Sequence, residues 1–314
     1  MINVQNLTKL YGTAQALKGI SFEVQSGEVI GFLGPNGAGK STTMKILTGY
    51  LLPTSGTATV DGLDVVDKSL EVRRKIGYLP ESTPLYTEMR VDDYLRFAAE
   101  IRGVPGSRLA SAVARVVGLC GLSKVTGKNI LELSKGYKQR VGLAQAMVHE
   151  PDVLILDEPT SGLDPNQIIE VRGLIKELSK DHTVILSTHY LQEVEASCTR
   201  VIIVRSGEIV ANDTRDALVA KMPAGAILAR IKGPQENIRR QLGELLPGRK
   251  IEEMHKDGEY VLYRIDAGVS GDQKIPEAVA ELVTKNKWAL AELSRERATL
   301  EDVFRKLTME VARG

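Results

Sequence analysis

The spacing of hydrophobic positions changes along this chain, and each change predicts a different kind of element. Residues 2–33 alternate between apolar and polar side chains, with glycines at the turns, which is typical of antiparallel strands. From Val91 to Ile101 and from Leu109 to Val117, apolar residues recur at i, i+3 and i+4, which predicts helices. The chain therefore begins with β structure and contains a helical segment, which we place at about residues 84–135.

Short apolar runs predict buried strands. Residues 28–33 are expected to form a short buried strand, and a strand-like run also lies at residues 183–187. The unbroken apolar run at residues 153–156 predicts a strand that is buried on both faces, as parallel strands inside an α/β sheet are. An α/β core is therefore expected on both sides of the helical segment, and we expect it to continue to about residue 215.

Beyond a proline–glycine step at residues 222–225, the pattern predicts a second, smaller domain. The predicted strands are residues 226–232, 249–256, 259–266 and 288–295, and the predicted helices are residues 235–246, 273–286 and 299–312. The pair Asp257-Gly258 between two strand-like runs is typical of a hairpin turn. The order β-α-β-β-α-β-α predicts a small ferredoxin-like α+β domain. We therefore divide the chain into residues 1–220 and 221–314, and predict an accessory or regulatory role for the second part because it carries no catalytic motif.

Length and composition fit a globular protein with two domains. The chain has 314 residues, 43% of them hydrophobic and 26% charged, which is ordinary for such proteins. The formal net charge of +1 argues against a nucleic-acid partner, because phosphate recognition needs an excess of basic residues. No stretch approaches the roughly 20 apolar residues needed to span a bilayer, and no secretory signal precedes the first strand. Cys120 and Cys198 lack the spacing of a metal site and are expected to be buried thiols in a reducing compartment.

The run Gly34–Ser41 fits the phosphate-loop pattern G-x-x-x-x-G-K-[ST], with a predicted strand before it and a predicted helix after it. Glycines let successive backbone N–H groups point at phosphate oxygens, and the helix presents its positive dipole end to the same anion. Lys40 would reach the β- and γ-phosphates, and the hydroxyl of Ser41 would ligate Mg²⁺. The nucleotide-binding residues expected here are Gly34, Asn36, Gly37, Ala38, Gly39, Lys40, Ser41 and Thr42.

A pair of acidic residues, Asp157 and Glu158, ends the apolar run at residues 153–156. A parallel strand delivers such side chains to the C-terminal edge of its sheet, where α/β proteins bind ligands. We expect Asp157 to hold Mg²⁺ through water and Glu158 to polarise the water that attacks the nucleotide. Combined with the phosphate loop, this pair indicates a nucleoside triphosphatase.

Further motifs follow in the order that ABC ATPases have. The segment Leu133–Arg140, shortly before the acidic strand, resembles the L-S-G-G-Q signature of this family. Tyr11 resembles the aromatic residue that stacks on adenine, Ser161–Asp164 resembles the D-loop, and His189 resembles the switch histidine. The resemblance covers about residues 1–215. It implies a P-loop ABC ATPase domain with a RecA-like α/β core, an antiparallel β subdomain, and the helical segment as its helical subdomain.

Two departures from the family pattern place the chain nearer one branch. The signature reads Ser-Lys-Gly-Tyr, although Ser134 and Gly136, which would contact the γ-phosphate, are kept. Glu81 stands where most of the family has glutamine; it keeps an acceptor oxygen near Mg²⁺, adds charge and loses the amide donors. Both variants resemble the ABC-2 exporter branch, which includes ATPases of gliding motility and of drug or lipid export.

The resemblance implies a shared site, because the phosphate loop of one chain and the signature of a second chain face the same nucleotide. ATP and Mg²⁺ would lie between two ATPase subunits, identical or closely related, arranged head to tail. Glu158 would position water, His189 would contact the γ-phosphate, and Asp164 would communicate across the interface. A separate integral membrane permease is the other implied partner, so a cytoplasmic position at the inner face of the cell membrane is expected.

Several alternatives stay open at this point. The ATPase could transmit force through a membrane partner to a periplasmic or cell-surface machine, or it could be a soluble ATPase that remodels protein or DNA. A GTPase is disfavoured because Asn286-Lys287 lacks the aspartate that reads guanine. The apolar loop at residues 84–89 is either core or a docking groove for a partner helix. We interpret three histidines as structural or surface residues: His149, His182 and His255.

Overall fold

The computed structural model describes residues 2–222, 225–266, 274–296 and 299–309. These residues form two compact units, one reaching Arg215 and the other beginning at Asp216. The division lies at the start of a short helix, Arg215–Ala220, whereas we predicted the boundary at its end. None of the helices within these ranges has the length and apolar character needed to traverse a bilayer.

The first unit alternates strands and helices after an opening run of strands. The strands are β1 Ile2–Tyr11, β2 Ala14–Val24, β3 Val29–Leu33, β4 Ser55–Val60, β5 Leu63–Asp64, β6 Ile76–Leu79, β7 Val153–Asp157, β8 Thr183–Thr188, β9 Arg200–Arg205 and β10 Glu208–Thr214. The helices are α1 Lys40–Leu47, α2 Ser69–Lys75, α3 Val91–Ile101, α4 Leu109–Leu119, α5 Lys135–Met147, α6 Pro165–Leu178 and α7 Leu191–Ser197. Helix α8 Arg215–Ala220 begins at Arg215 and otherwise belongs to the second unit.

The central sheet has six strands in the order β10-β9-β3-β8-β7-β6. Its strands run parallel from β9 to β6, and β10 pairs antiparallel with β9 at one side. In the register, Asp157 lies opposite Ser187, and Leu33 lies opposite Thr188. The chain segments that follow β3, β7 and β8 therefore leave the sheet at the same edge, as expected for a ligand-binding α/β protein.

The expectation that residues 2–33 form one antiparallel set is wrong for β3. β1 and β2 pair antiparallel and, with β4 and β5, build a four-stranded sheet of order β2-β1-β4-β5. β3 instead pairs with β8 and β9 in the central sheet. The physical reason is burial: every residue of β3 is buried, whereas β1 and β2 include exposed positions. A strand that is apolar throughout needs cover on both faces.

Two hydrophobic clusters cover the two faces of the central sheet. Leu154 and Leu156 of β7 join a cluster that contains residues of α3, α4 and α5, whereas Ile155 joins a cluster that contains residues of β1, β2 and β4. Neighbouring side chains of a strand point to opposite faces, so one unbroken apolar run supplies both clusters. Each fully buried aliphatic side chain contributes roughly 1.5–3 kcal/mol relative to an exposed one.

The second unit has the predicted element order. After α8, it consists of β11 Ile227–Lys232, α9 Gln235–Leu245, β12 Ile251–Asp257, β13 Tyr260–Ile265, α10 Ile275–Lys285, β14 Ala289–Arg295 and α11 Leu300–Met309. Its antiparallel sheet has the order β12-β13-β11-β14, so the small α+β domain is confirmed. The predicted hairpin also forms, because Asp257 pairs with Tyr260 and Gly258 adopts a φ of 60°. The predicted helix ends at residues 273 and 310–312 lie outside the described residues.

The loop before α3 lies partly in the core. Leu85 and Met89 pack against the cluster that also contains α3, so this half of the loop belongs to the core. Tyr86 is 58% exposed, and its ring contacts the rings of Tyr94 and Phe97 edge-on. The loop is therefore held to the core by Leu85 and Met89, whereas the side chain of Tyr86 is exposed to solvent.

The three histidines that lack a motif have structural or exposed positions. Nε2 of His149 lies 3.2 Å from the backbone oxygen of Ile76, and burial lowers the pKa of His149 to about 4. Nδ1 of His182 lies 2.8 Å from the backbone oxygen of Pro151. His255 is exposed on β12. The neutral, hydrogen-bonded ring of His149 thus helps to join the segment after α5 to the start of β6.

Candidate nucleotide-binding site

The phosphate loop connects β3 to α1 and depends on glycine at three positions. Gly37 and Gly39 have φ values of 78° and 109°, a region that favours glycine. A side chain at Gly39 would also lie 2.8 Å from the backbone oxygen of Ala16. At Gly34, a side chain would lie 2.4 Å from the backbone oxygen of Val204. The motif glycines are therefore required by the packing of the loop as well as by its curvature.

Lys40, the first residue of α1, is only 6% exposed. Its ammonium donates hydrogen bonds to the backbone oxygens of Gly34, at 2.8 Å, and Pro35, at 3.3 Å. The same Nζ lies 3.3 Å from Oε1 of Glu158. A buried charge needs such partners, because desolvation without them is costly. The geometry thus holds a positive charge at the mouth of the phosphate loop and beside the acidic strand.

Asp157, the last residue of β7, is buried and accepts two hydroxyl hydrogen bonds. One comes from Oγ of Ser41, at 3.1 Å, and the other from Oγ of Ser187. Burial raises the pKa of Asp157, and these two hydrogen bonds oppose that rise.

The donor set around Asp157 suits Mg²⁺, which prefers hard oxygen ligands and usually combines one or two carboxylates with substrate phosphates and water. The described residues contain no group of three or more His, Cys, Asp or Glu side chains that could hold a metal by themselves. The predicted third ligand, Glu81, is exposed and shares a cavity lining with Ser41 and Asp157. A metal here would therefore depend on the nucleotide for some of its ligands.

Glu158 and His189 form a hydrogen-bonded pair at the same edge of the sheet. Nδ1 of His189 lies 2.8 Å from Oε2 of Glu158, and Glu158 is 5% exposed. The backbone of Glu158 has a φ of 49°, which is unusual for a residue with a side chain. Its backbone N–H donates to the oxygen of Ser187 at 3.0 Å. The carboxylate can thus orient a water molecule as a base, with the imidazole holding its second oxygen.

A cavity of about 510 Å³ gathers most of the predicted nucleotide residues. The predicted residues that line it are Asn36, Gly37, Ala38, Gly39, Lys40, Ser41, Thr42, Glu81, Glu158 and His189. Gly34 lies beneath the loop, where its oxygen accepts the hydrogen bond from Lys40. The arrangement brings the phosphate loop, Glu81, Glu158 and His189 to one place.

Tyr11 and the signature do not line this cavity within the described residues. Tyr11 is 49% exposed, and Nζ of Lys9 lies 5.5 Å from the centre of its ring. Ser134 begins α5 as its N-cap, accepting a hydrogen bond from the backbone N–H of Tyr137. Gly136 is buried, and a side chain there would lie 2.7 Å from the side chain of Gln167. The signature thus forms a separate surface on the same chain.

Asp164 also lies outside the cavity lining and has a local structural role. Oδ1 of Asp164 accepts a hydrogen bond from the backbone N–H of Gln167 at 2.9 Å, which caps the first turn of α6. A side chain at Gly136 would lie 2.7 Å from the side chain of Gln167, so the D-loop and the signature approach each other at the start of α6.

Sequence reasoning missed Ser187, Ala16 and Tyr190 at the site. The hydroxyl of Ser187 donates a hydrogen bond to Asp157. The cavity is also lined by Ala16, Tyr190 and Ser161, the first residue of the predicted D-loop. Ser187 could have been found, because it is the first polar residue at the end of an apolar parallel strand. Ala16 gives no chemical signal in the sequence, and only the fold brings it to the phosphate loop.

Comparisons with known proteins agree with this geometry. The family model described as "ABC transporter" matches residues 17–161. A second model, described as "AAA domain, putative AbiEii toxin, Type IV TA system", matches residues 128–195, which include the signature, the acidic pair and His189. Both matches therefore lie in the first unit.

Relatives and a solved structure extend the similarity. The linearmycin resistance ATP-binding protein LnrL of Bacillus subtilis is 30% identical over 98% of this chain and 98% of its own length. The Nod factor export ATP-binding protein I of Burkholderia orbicola is 34% identical over 98% of this chain and 96% of its own length. The dimeric structure of MJ0796, a bacterial ABC transporter cassette, matches with a TM-score of 0.63 at 25% identity, covering 68% of this chain and 98% of that cassette. With the phosphate loop, acidic pair and signature in place, this chain belongs to the ATP-binding proteins of the ABC transporter family, which are ATPases.

Proposed function

We propose that this protein hydrolyses ATP to power export through a separate membrane permease. The observation that carries the proposal is the cluster of Lys40, Glu158 and His189 at the phosphate loop, with Lys40 and His189 both contacting the same carboxylate. A positioned base, a phosphate-binding cation and a polar partner are the groups that phosphoryl transfer to water requires. Each is held by buried contacts, so the site is preorganised for this reaction.

The proposed roles follow from these positions. The loop N–H groups and Lys40 bind the phosphates, and Glu158 orients the attacking water and takes up its proton. His189 holds Oε2 of Glu158 and lines the cavity where the γ-phosphate would lie. Ser41 and Asp157 would hold Mg²⁺, which neutralises charge on the β- and γ-phosphates when bound.

The complete site is proposed to need two chains. Ser134 is exposed at the N-terminus of α5 and lies outside the cavity lining of its own chain, among the residues described. Its hydroxyl and the following backbone N–H groups are suited to bind phosphate of a nucleotide on a second copy. A head-to-tail dimer would bring these groups to the phosphate loop, and the solved cassette described above is a dimer.

A second cavity offers a docking place for the permease. It has a volume of about 480 Å³ and is lined by Tyr50, Tyr78 and Tyr94 together with Ser41 and Asp157. The hydroxyl of Tyr78 is buried without a hydrogen-bond partner in the described structure, and Tyr50 is 78% exposed. An aromatic groove of this kind suits an amphipathic helix of a partner, and it adjoins the metal-binding side chains. Docking would keep the protein at the cytoplasmic face of the membrane.

Export is the proposed direction because the two relatives described above carry names that indicate resistance or export. The test is purification of the tagged protein from solubilised membranes of its own cells, followed by identification of bound membrane proteins. We expect one polytopic protein to co-purify, and Tyr50→Asp to reduce its yield strongly. Leu70→Asp, which changes a side chain that is 70% exposed on α2, serves as the control and should leave the yield unchanged. Recovery of no membrane protein, or equal yields from both variants, would contradict the proposal.

A further inference from the structure

Glu193 on α7 is a buried carboxylate that does not line the nucleotide cavity. It is 2% exposed, and its Oε1 accepts a hydrogen bond from the hydroxyl of Thr160. The guanidinium of Arg172 lies 3.8 Å from the same oxygen. Oε2 has no hydrogen-bond partner in the part of the chain that is described. A carboxylate in such surroundings is costly to bury, so its presence calls for a function.

The groups around Glu193 flank both members of the Glu158–His189 pair. Thr160 follows Glu158 by two residues, and Tyr190 directly follows His189. Burial raises the pKa of Glu193, and the hydrogen bond from the hydroxyl of Thr160 opposes that rise. The backbone N–H of Glu193 donates a hydrogen bond to the backbone oxygen of Tyr190 at 3.1 Å. Glu193 therefore joins the segment after β7, through its side chain, to the segment after β8, through its backbone.

The segment after β7 needs such support. Glu158 has a φ of 49°, and a residue with a side chain keeps this conformation only where its surroundings hold it. The segment is held at Pro159, whose oxygen accepts a hydrogen bond from Nε2 of Gln139 at 2.7 Å, and at Thr160 by Glu193. Without the second anchor, the carboxylate of Glu158 would lose its fixed position relative to Nδ1 of His189.

We propose that Glu193 is a positioning residue for ATP hydrolysis. It joins the two segments that carry Glu158 and His189 and so maintains the hydrogen bond between them. Glu193 acts through Thr160 and the backbone of Tyr190, and it lies outside the lining of the nucleotide cavity. This inference rests on the proposed role of Glu158 as the base that orients water.

The test compares the full-length variants Glu193→Ala, Glu193→Gln and Thr160→Val in steady-state ATP hydrolysis and in equilibrium ATP binding. A misplaced base costs up to about 10²-fold in rate, so we expect kcat to fall at least about tenfold for Glu193→Ala and Thr160→Val, with the Kd for ATP changed less than about threefold. Glu193→Gln keeps an acceptor oxygen for Thr160 and should restore part of kcat. Glu195→Ala changes an exposed carboxylate two residues away on α7 and should behave as wild type.

A second comparison separates positioning from a general loss of structure. In a Glu158→Gln background, Glu193→Ala should lower kcat less than about twofold further, because both changes act on the same step. The inference is overturned if Glu193→Ala and Thr160→Val keep kcat within about twofold of wild type, or if Thr160→Val weakens ATP binding as much as turnover. If Glu158→Gln itself retains turnover, the proposed function fails first, and that result is distinguishable from failure of Glu193 alone.

Discussion

Replacing Glu158 with glutamine is expected to lower ATP turnover by about 10²–10⁴-fold, because a positioned general base contributes that much to the rate. The carboxylate is buried, lies 3.3 Å from Nζ of Lys40 and bonds to Nδ1 of His189 at 2.8 Å. Glutamine keeps the length and one acceptor oxygen but cannot take up a proton from water. ATP binding should remain, since Lys40 keeps its hydrogen bonds to Gly34 and Pro35.

The measurement for this variant is phosphate release at saturating ATP, paired with equilibrium binding of a fluorescent ATP analogue. Glu195→Gln, an exposed change on α7, is the matched control and should retain wild-type turnover. Because ATP binds and is not consumed, the Glu158→Gln protein should also accumulate as a dimer in the presence of ATP. More than about half of the wild-type rate, far above the range of a lost base, would show that Glu158 has a different role.

Replacing Ser134 with aspartate should abolish hydrolysis without disturbing the fold. Ser134 is the exposed N-cap of α5, and aspartate is as good an N-cap as serine. In the proposed dimer, however, the new carboxylate would face the γ-phosphate bound by the partner chain. Like charges juxtaposed across an interface cost several kcal/mol, which corresponds to a loss of about 10²-fold or more in turnover.

Four measurements check the variant. Thermal unfolding and ATP binding are measured at low protein concentration, and ATP-dependent dimer formation and turnover are measured at high concentration. Unfolding and ATP binding by single chains should match wild type, whereas dimer formation and turnover should be lost. Ser134→Asn keeps the cap without the charge and should retain most of the turnover. Equal turnover for the aspartate and asparagine variants would mean that Ser134 does not approach a phosphate.

Much of the fold was predictable because its signals are local. The phosphate loop is a contiguous motif. The unbroken apolar run before Asp157 indicated a strand whose side chains are buried on both faces of a sheet. The second unit was predictable for a similar reason. Its strand-like and helix-like stretches differ in the spacing of apolar residues, and turn residues such as Gly258 separate neighbouring stretches.

What the sequence could not predict depends on contacts between distant segments. The alternation that ends at β3 does not say which sheet this strand joins, because sheet membership depends on which strands lie beside it in three dimensions. Asp164 was assigned only to the D-loop, so its role as the N-cap of α6 was not predicted. The buried contact between Glu193 and Thr160 joins residues 33 positions apart and has no periodic signature.

The central claim, that one catalytic site is built from two chains, is tested most directly by mixing two inactive variants. Lys40→Met removes the phosphate-binding cation of one chain, and Ser134→Asp disables the signature of the other. Each variant alone should be inactive, but a mixed dimer contains one site with an intact phosphate loop and an intact signature. With random pairing, an equimolar mixture should regain about a quarter of the wild-type turnover per chain, since half of the dimers are mixed and each has one intact site of two. A mixture that stays as inactive as its components would contradict the account.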